Sequence, residues 1–448
     1  MLGNLDFPSS EVLTVLFRAI NKPLFPNLKS LDLWSRIGPE VIPFIPSFLS
    51  PTTTTVSIRF TRYINPPNAA IASMVTTLPA LCPNLQKIGL YILPRDPIIT
   101  AAVSKFLLTA NRDTLRYFHV DSPLTEEAHE VVCKLPNLCE LSVVVEGFTA
   151  LPTMVLPNLT GISVEYNHSR DWLQGFRGAT LGKLDSVTVL ATSPSVQIDG
   201  FFEDFHNAAL TTPTQNTLSV LRFCTPYPWN PNYSSLLVFK QLTELEIEFS
   251  CRDSCSSRVD DDAIINLAQA MPGLEVLRLG EAPCGSFTGV TFKGLVALAC
   301  RCPQLSELRI HFRADSLVKA TTSGEPPSLS EHAAAISQTN CALTDLHVGE
   351  TPIPDESALA VAIILLQVFP HLLNIEFDNP DWLIVEETIE LFKRIDGHVR
   401  YAGKTHSPHL RRPLVTPHSS RRRRLVRAVG TFGTSLEILK YSFMHACT

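Results

Sequence analysis

The sequence predicts an α/β solenoid, with parallel strands lining a concave face and helices on a convex one. Three observations predict it. A short cadence, apolar-x-x-apolar-x-apolar, recurs along most of the 448 residues. Proline stands two places ahead of the cadence's first leucine in seven of twelve copies. Between copies lie stretches of helical spacing, long enough to carry one strand over to a parallel neighbour.

Taken in order, Ser10 to Ile20 reads as the helix of a first unit, capped by Ser9 or Ser10. The first copy is FPNLKSLDL, with Leu28, Leu31 and Leu33. TTTVSIRF, a weaker copy with Thr53, Val56 and Ile58, fills the gap before CPNLQKIGL, which carries Leu85, Ile88 and Leu90. Further copies start at Leu115, Leu138, Leu159, Leu184, Leu218, Leu242, Leu274, Leu305, Leu343 and Leu372, most of them 21 to 38 residues apart. The prolines are Pro26, Pro83, Pro136, Pro157, Pro272, Pro303 and Pro370. Proline has no amide to donate and pushes its predecessor into extended geometry, so each is expected to end a helix and admit the chain to a strand. VDDDAIINLAQA before Pro272, GVTFKGLVALACRC before Pro303 and DESALAVAIILLQVF before Pro370 read as those helices. The acidic residues of the first and third gather at the start, where the helix dipole favours them. Each unit is therefore expected to run helix, turn, strand, and stacking buries the apolar face that one unit cannot bury alone. Ser357 to Ile375 is nearly uncharged, but it contains Pro370, His371 and Asn374 and falls in phase with the repeat, so it reads as a buried unit and not a membrane span.

The solenoid is expected to occupy residues 1–395 as about twelve or thirteen irregular units. From 396 to 433 the chain is rich in Arg, His, Pro and Ser and loses periodicity, which predicts disorder. Within 434–448, TSLEILKYSF resumes the cadence with Leu436, Leu439 and Tyr441, as a terminal strand fragment or tail. The composition is 45% hydrophobic and 18% charged, too apolar for a mainly disordered chain. With no secretory start and no apolar run of about 20 residues, the chain reads as soluble and cytoplasmic, with no membrane partner. Eleven cysteines form an odd set without C-x-x-C pairs, which fits buried thiols better than disulfides or zinc. The net charge of -6 hides an imbalance: Arg394 onward has eleven basic and two acidic residues, leaving 26 basic and 41 acidic upstream, or -15. So acidic a body repels phosphates, which disfavours a nucleic acid partner outside the tail.

The phrases CPNLQKIGL, LPNLCELSV, MPGLEVLRLGEAP and LACRCPQLSELRI resemble leucine-rich repeats of the cysteine-containing, F-box-associated type, in the irregular form common in large fungal F-box families. The resemblance covers roughly residues 24 to 380. It implies a leucine-rich repeat horseshoe with Cys82, Cys302 and Cys341 buried at helix-to-strand junctions. Phe25, Leu135, Leu156, Met271 and Phe369 stand near that place in other units, which favours packing over thiol chemistry. It also implies substrate recognition for a cullin-type ubiquitin ligase, docked through an F-box on a Skp-type adaptor. FPSSEVLTVLF partly matches the family's opening phrase but has one residue too many between Pro8 and Glu11. The first repeat begins near Leu24, which leaves no room for a three-helix F-box. The F-box is thus expected to be missing, and adaptor binding to require its restoration. A protein interaction scaffold unrelated to ubiquitination is the alternative.

Side chains at the x positions of the strands are expected to line the concave face. The middle positions are Asp32, Gly89, His119, Ser142, Ser163, Thr188, Arg222, Glu246, Arg278, Arg309, His347 and Glu376. The later ones alternate in charge and are flanked by Glu244, Glu248, Glu307, His311, Asp345, Asn374 and Asp378. Two readings remain open here. Solvated strand faces carry charge and pair across the ladder, and the same positions suit a protein-binding surface spanning the units from Leu218 to Leu372.

Other motifs carry little. Gly403-Lys404-Thr405 ends like a phosphate-binding loop, but His398 stands where that loop needs glycine. Asp260, Asp261 and Asp262 open a helix, where capping accounts for them better than a metal does. Cys251 and Cys255 have no matching His/Cys pair for zinc. Asn158, Asn167 and Asn232 lie in glycosylation sequons but follow no export signal. No catalytic, cofactor or metal set is expected, and the chain reads as no enzyme. Arg411 and Arg412, with Arg421, Arg422, Arg423 and Arg424 downstream, suit a bipartite nuclear import signal, which adds the nucleus as a second location.

Overall fold

Alternation of apolar and polar residues turns each cadence into a strand with one face inward. The computed structural model describes residues 15, 23–33, 41–60, 68–91, 95–146, 153–166, 179–181, 184–192, 201–210, 213–225, 233–249, 259–280, 289–314, 341–353 and 357–402. The strands are β1 (Ser30–Leu33), β2 (Thr55–Arg59), β3 (Lys87–Tyr91), β4 (Tyr117–Pro123), β5 (Glu140–Val145), β6 (Val155–Leu156), β7 (Gly161–Tyr166), β8 (Thr180–Leu181), β9 (Ser186–Ala191), β10 (Val220–Thr225), β11 (Glu244–Phe249), β12 (Val276–Leu279), β13 (Glu307–Ile310), β14 (Asp345–Gly349) and β15 (Asn374–Phe377). All but β6 and β8 join one open 13-stranded sheet in chain order. Each neighbouring pair in it is parallel, as between β11 and β12 or β13 and β14. Inward residues such as Leu221, Phe223, Leu245, Ile247, Leu277 and Leu308 are fully buried, and outward ones are not.

One backbone device repeats between units. From Leu28 to Leu343, the carbonyl one residue past each cadence leucine accepts two successive amides from the next unit. Gln86 accepts those of Arg116 and Tyr117, Ser306 those of Thr344 and Asp345, and Thr344 those of Leu373 and Asn374. The prolines act one step earlier than the strand. Leu85, Leu274, Leu305 and Leu372 donate to the carbonyls of Cys82, Met271, Cys302 and Phe369 at 3.1, 3.2, 3.1 and 3.1 Å. Each proline is therefore the second residue of a tight turn, where its fixed φ is wanted.

The helices are α1 (Ile45–Phe48), α2 (Asn68–Leu81), α3 (Pro97–Thr109), α4 (Glu126–Val132), α5 (Phe201–Leu210), α6 (Asp261–Ala270), α7 (Phe292–Arg301), α8 (Ala358–Val368) and α9 (Trp382–Ala402). They replace the uniform helix, turn, strand unit with an irregular outer layer. Only 21 residues separate Leu138 from Leu159, too few for a helix of several turns once the strand is made. The described residues of that crossover include Val155–Leu156, β6, which pairs in parallel with β8. Between β10 and β11, the described crossover is a single 3-10 turn, Tyr233–Leu236. Helix α9 runs from Trp382 to Ala402, where the described residues end. Ser10 to Ile20 lies outside the described residues apart from Val15, as do residues 403–448 with Arg411, Arg412, Arg421 to Arg424 and Leu436.

The core runs the length of the stack. Cys82, Cys302 and Cys341 are buried at their junctions. The Cys302 thiol donates to the Ala268 and Met271 carbonyls at 3.9 and 3.6 Å, and Cys341 to those of Cys302 and Leu305 at 3.7 Å each. Burial pushes the Cys82 thiol up to about 11 and Cys302 up to about 12, so both remain protonated packing groups. Phe25 departs from its junction role: it is exposed and stacks on Phe48. Helix α8 buries Val361, Ala362, Leu365 and Val368, and no helix among the described residues is long and apolar enough to cross a membrane.

Candidate functional site

The parallel register aligns the middle x positions into one row. Asp32 pairs with Ser57, Ser57 with Gly89, Gly89 with His119, His119 with Ser142, Ser142 with Ser163, and Ser163 with Thr188. The row continues through Arg222, Glu246, Arg278, Arg309, His347 and Glu376. Glu244, Glu307 and Asp345 lie in the row before it, and Glu248 in the row after.

The charged end is a connected network. The Arg222 Nε donates to Glu244 Oε1 at 2.7 Å and lies 3.3 Å from Glu246 Oε2. Arg278 grips Glu307 with two nitrogens, at 2.6 and 2.9 Å, and reaches Glu246 with a third at 3.1 Å. Arg309 passes over β12 to donate to Glu248 at 2.9 Å. The bond to Glu244 holds the Arg222 guanidinium above its ordinary range, and the bond to Glu307 does the same for Arg278. Forked arginine–carboxylate geometry also fixes orientation. The side chains are not buried away: Arg222 is 43% exposed, and Arg278 and Arg309 25% each.

The two histidines belong to a drier corner. Burial, with His347 and Arg309 nearby, pulls His311 down to about 4 against the opposing pull of Asp378. Burial and Arg309 also lower His347. Both are neutral near pH 7. His311 follows the end of β13 and packs against Gly349, whose added Cβ would stand 2.4 Å from its ring. Arg309 Nε and His347 Nδ1 are buried without a hydrogen-bond partner among the described residues. Hydrogen bonds from Asn374 and Thr344 hold the Asp345 carboxyl low. Glu376 is exposed, and among the described residues no Lys or Arg pairs with it.

Several face residues escape the cadence. Cys224 in β10 brings its sulfur within 4.8 Å of ligand atoms of Glu246 and Glu248. Three donor groups suit a cation, but both carboxylates are already bonded to arginine, and that positive charge opposes a metal. At the other end, the Tyr91 and His119 rings lie 4.2 Å apart, and His119 Nε2 is 3.0 Å from Asp121 Oδ1. Arg95, from the loop ahead of α3, reaches Glu146 at 2.9 Å and also Glu165. Glu165 was visible as an outward β7 residue; Arg95, in a loop, carried no periodic signal. The aspartates of α6 are structural: Asp260 caps the helix, Asp261 accepts from Thr291 and Gly294 of the next unit, and Asp262 pairs with Lys293 at 3.7 Å.

No family model matches the chain, and no curated protein matches it. Among solved structures it is similar to one described as the complex of Rad7 and Elc1 in yeast, with a TM-score of 0.42 and 14% identity over 83% of each chain.

Proposed function

We propose that the strand face from β10 to β15 binds a partner protein and that no chemistry is performed there. The observation that carries this reading is the arginine row. Carboxylates on neighbouring strands hold Arg222, Arg278 and Arg309 in set directions while leaving them accessible. A surface ordered before contact loses less side-chain freedom on binding. Arginine is also the charged residue most often found among the few that dominate an interface. The repeat phrases support a narrower reading, substrate recognition for a cullin-type ubiquitin ligase whose other subunits do the chemistry.

Two experiments test these levels separately. Partners captured with the wild-type chain are rebound to the Arg278→Glu/Arg309→Glu double variant, with folding checked by circular dichroism. Binding is expected to fall at least about tenfold, as for loss of buried or half-buried charge pairs at an interface. Unchanged affinity for every partner would overturn the assignment of this face. The ligase reading is tested by pull-down of a Skp-type adaptor with the full-length transcript product. Binding supports it, and failure to bind leaves a protein scaffold without a ubiquitin role.

A further inference from the structure

Helix α9 carries two apolar stripes where one is enough to hold it to the stack. Trp382, Val385 and Ile389 face the core and are fully buried. Roughly 130° further round the helix, Ile384, Leu391 and Ile395 are 44–50% exposed, and Phe392 lies exposed between the two stripes. Glu387, Glu390 and Arg394 are exposed on the charged side. No strand follows β15 in the main sheet among the described residues, so α9 stands at an end of the stack. An end unit leaves open the face that an inner unit packs against its neighbour.

We propose that this outer stripe pairs with the same stripe of a second copy of the chain, the two α9 helices running antiparallel about a twofold axis. Its spacing is that of a coiled-coil seam. Ile384, Thr388, Leu391 and Ile395 follow one another at intervals of four, three and four. Glu387 and Arg394 each stand one place ahead of a seam residue, on the same flank. Antiparallel pairing sets Ile384 against Ile395 of the other copy and Thr388 against Leu391. It also brings like flanks together, so Glu387 of each copy meets Arg394 of the other. The surface is thus complementary to itself in charge, as a twofold interface requires. A parallel pair sets this flank against the opposite one, where Glu387 meets Phe392 and gains no charge partner. Arg394 bonds Glu390 of its own helix at 3.0 Å and is 74% exposed, which leaves its other nitrogens open to a second carboxylate. A seam of about three turns is short, so the dimer is weak and forms as concentration rises. None of its residues belongs to the arginine row, so this pairing and partner binding by β10 to β15 stand or fall separately.

Sedimentation equilibrium of the full chain between ~1 and ~100 µM measures the pairing, and a charge exchange tests its direction. The average mass is expected to climb from 49.5 kDa toward twice that value. Leu391→Glu, at an exposed position, should keep the wild-type circular dichroism and weaken the dimer at least about tenfold by placing a charge in the seam. Glu387→Arg alone or Arg394→Glu alone sets like charges against each other at two places and should weaken it about five- to thirtyfold. The double variant Glu387→Arg/Arg394→Glu should restore wild-type association. A chain that stays monomeric to the highest concentration would overturn the proposal, the stripe then having another occupant. So would a dimer indifferent to Leu391→Glu or to the single charge changes, since it would be joined elsewhere, and so would one that the double variant fails to restore.

Discussion

Gly349 shows how one residue sets the charged corner. Its φ of +53° lies in the region that side chains disfavour, and the His311 ring fills the space a Cβ would need. Gly349→Ala should destabilise the protein by about 1–3 kcal/mol in chemical denaturation. In a His311→Ala background the part due to the clash should vanish and the part due to φ should remain. A second residue, His129, sits buried in α4 and is pulled down to about 4 by burial. The unfolded chain, with an ordinary histidine near 6.5, takes up a proton first as pH falls. Stability from this group is therefore full above about pH 6.5 and is lost as pH drops toward about 4, by something on the order of 3 kcal/mol. His311 acts in the same direction. His129→Gln should flatten the fall of unfolding free energy between pH 7 and 4; an unchanged slope would show that His129 is not the group concerned.

The aspartates that open α6 illustrate why neighbouring identical residues differ at the scale of elements. Asp261 links α6 to α7 by accepting from the Thr291 amide and hydroxyl and the Gly294 amide at 2.8, 2.7 and 3.0 Å. Asp261→Ala strands those donors and should cost about 1–3 kcal/mol. Asp260→Ala removes an N-cap and should cost about 1 kcal/mol, whereas Asp262→Ala, at an exposed pair, should fall within about 0.5 kcal/mol of wild type. Equal effects in urea melts would refute the division of labour. The sequence shows that these residues open a helix, because capping chemistry is local. It does not show the bond from Asp261 to the next unit, which depends on how two helices stack. The same boundary separates legible from illegible on the strand face. The row from Asp32 to Glu376 follows from a period of two anchored on each leucine. That Arg309 reaches Glu248 across β12, and that His311 lies against Gly349, follows from side-chain reach and a positive φ, which no spacing records. The outer layer was least legible, because the cadence constrains strands and says little about whether 21 residues leave room for a helix.

At the scale of the whole molecule, each strand of the 13-stranded sheet bonds only to its neighbours in that sheet among the described residues. The core cluster nevertheless runs unbroken from Leu31 to Ile389. These two facts pull in different directions: nearest-neighbour bonding permits local unzipping, while a continuous core favours loss of the fold in one step. Interfaces between units decide which prevails, since a single unit buries too little to stand alone. The ends should be weaker, because a terminal unit has one such interface and an inner unit has two. Ile58→Ala in β2 and Leu277→Ala in β12 remove comparable, fully buried side chains and should each cost about 2–5 kcal/mol locally. Hydrogen exchange should therefore accelerate around β1 to β3 in the first variant while β11 to β13 keep wild-type rates. The second, placed inside the stack, should loosen strands on both sides of β12. A uniform acceleration across all strands from Ile58→Ala would mean that the core, and not the chain of unit interfaces, sets the cooperative unit.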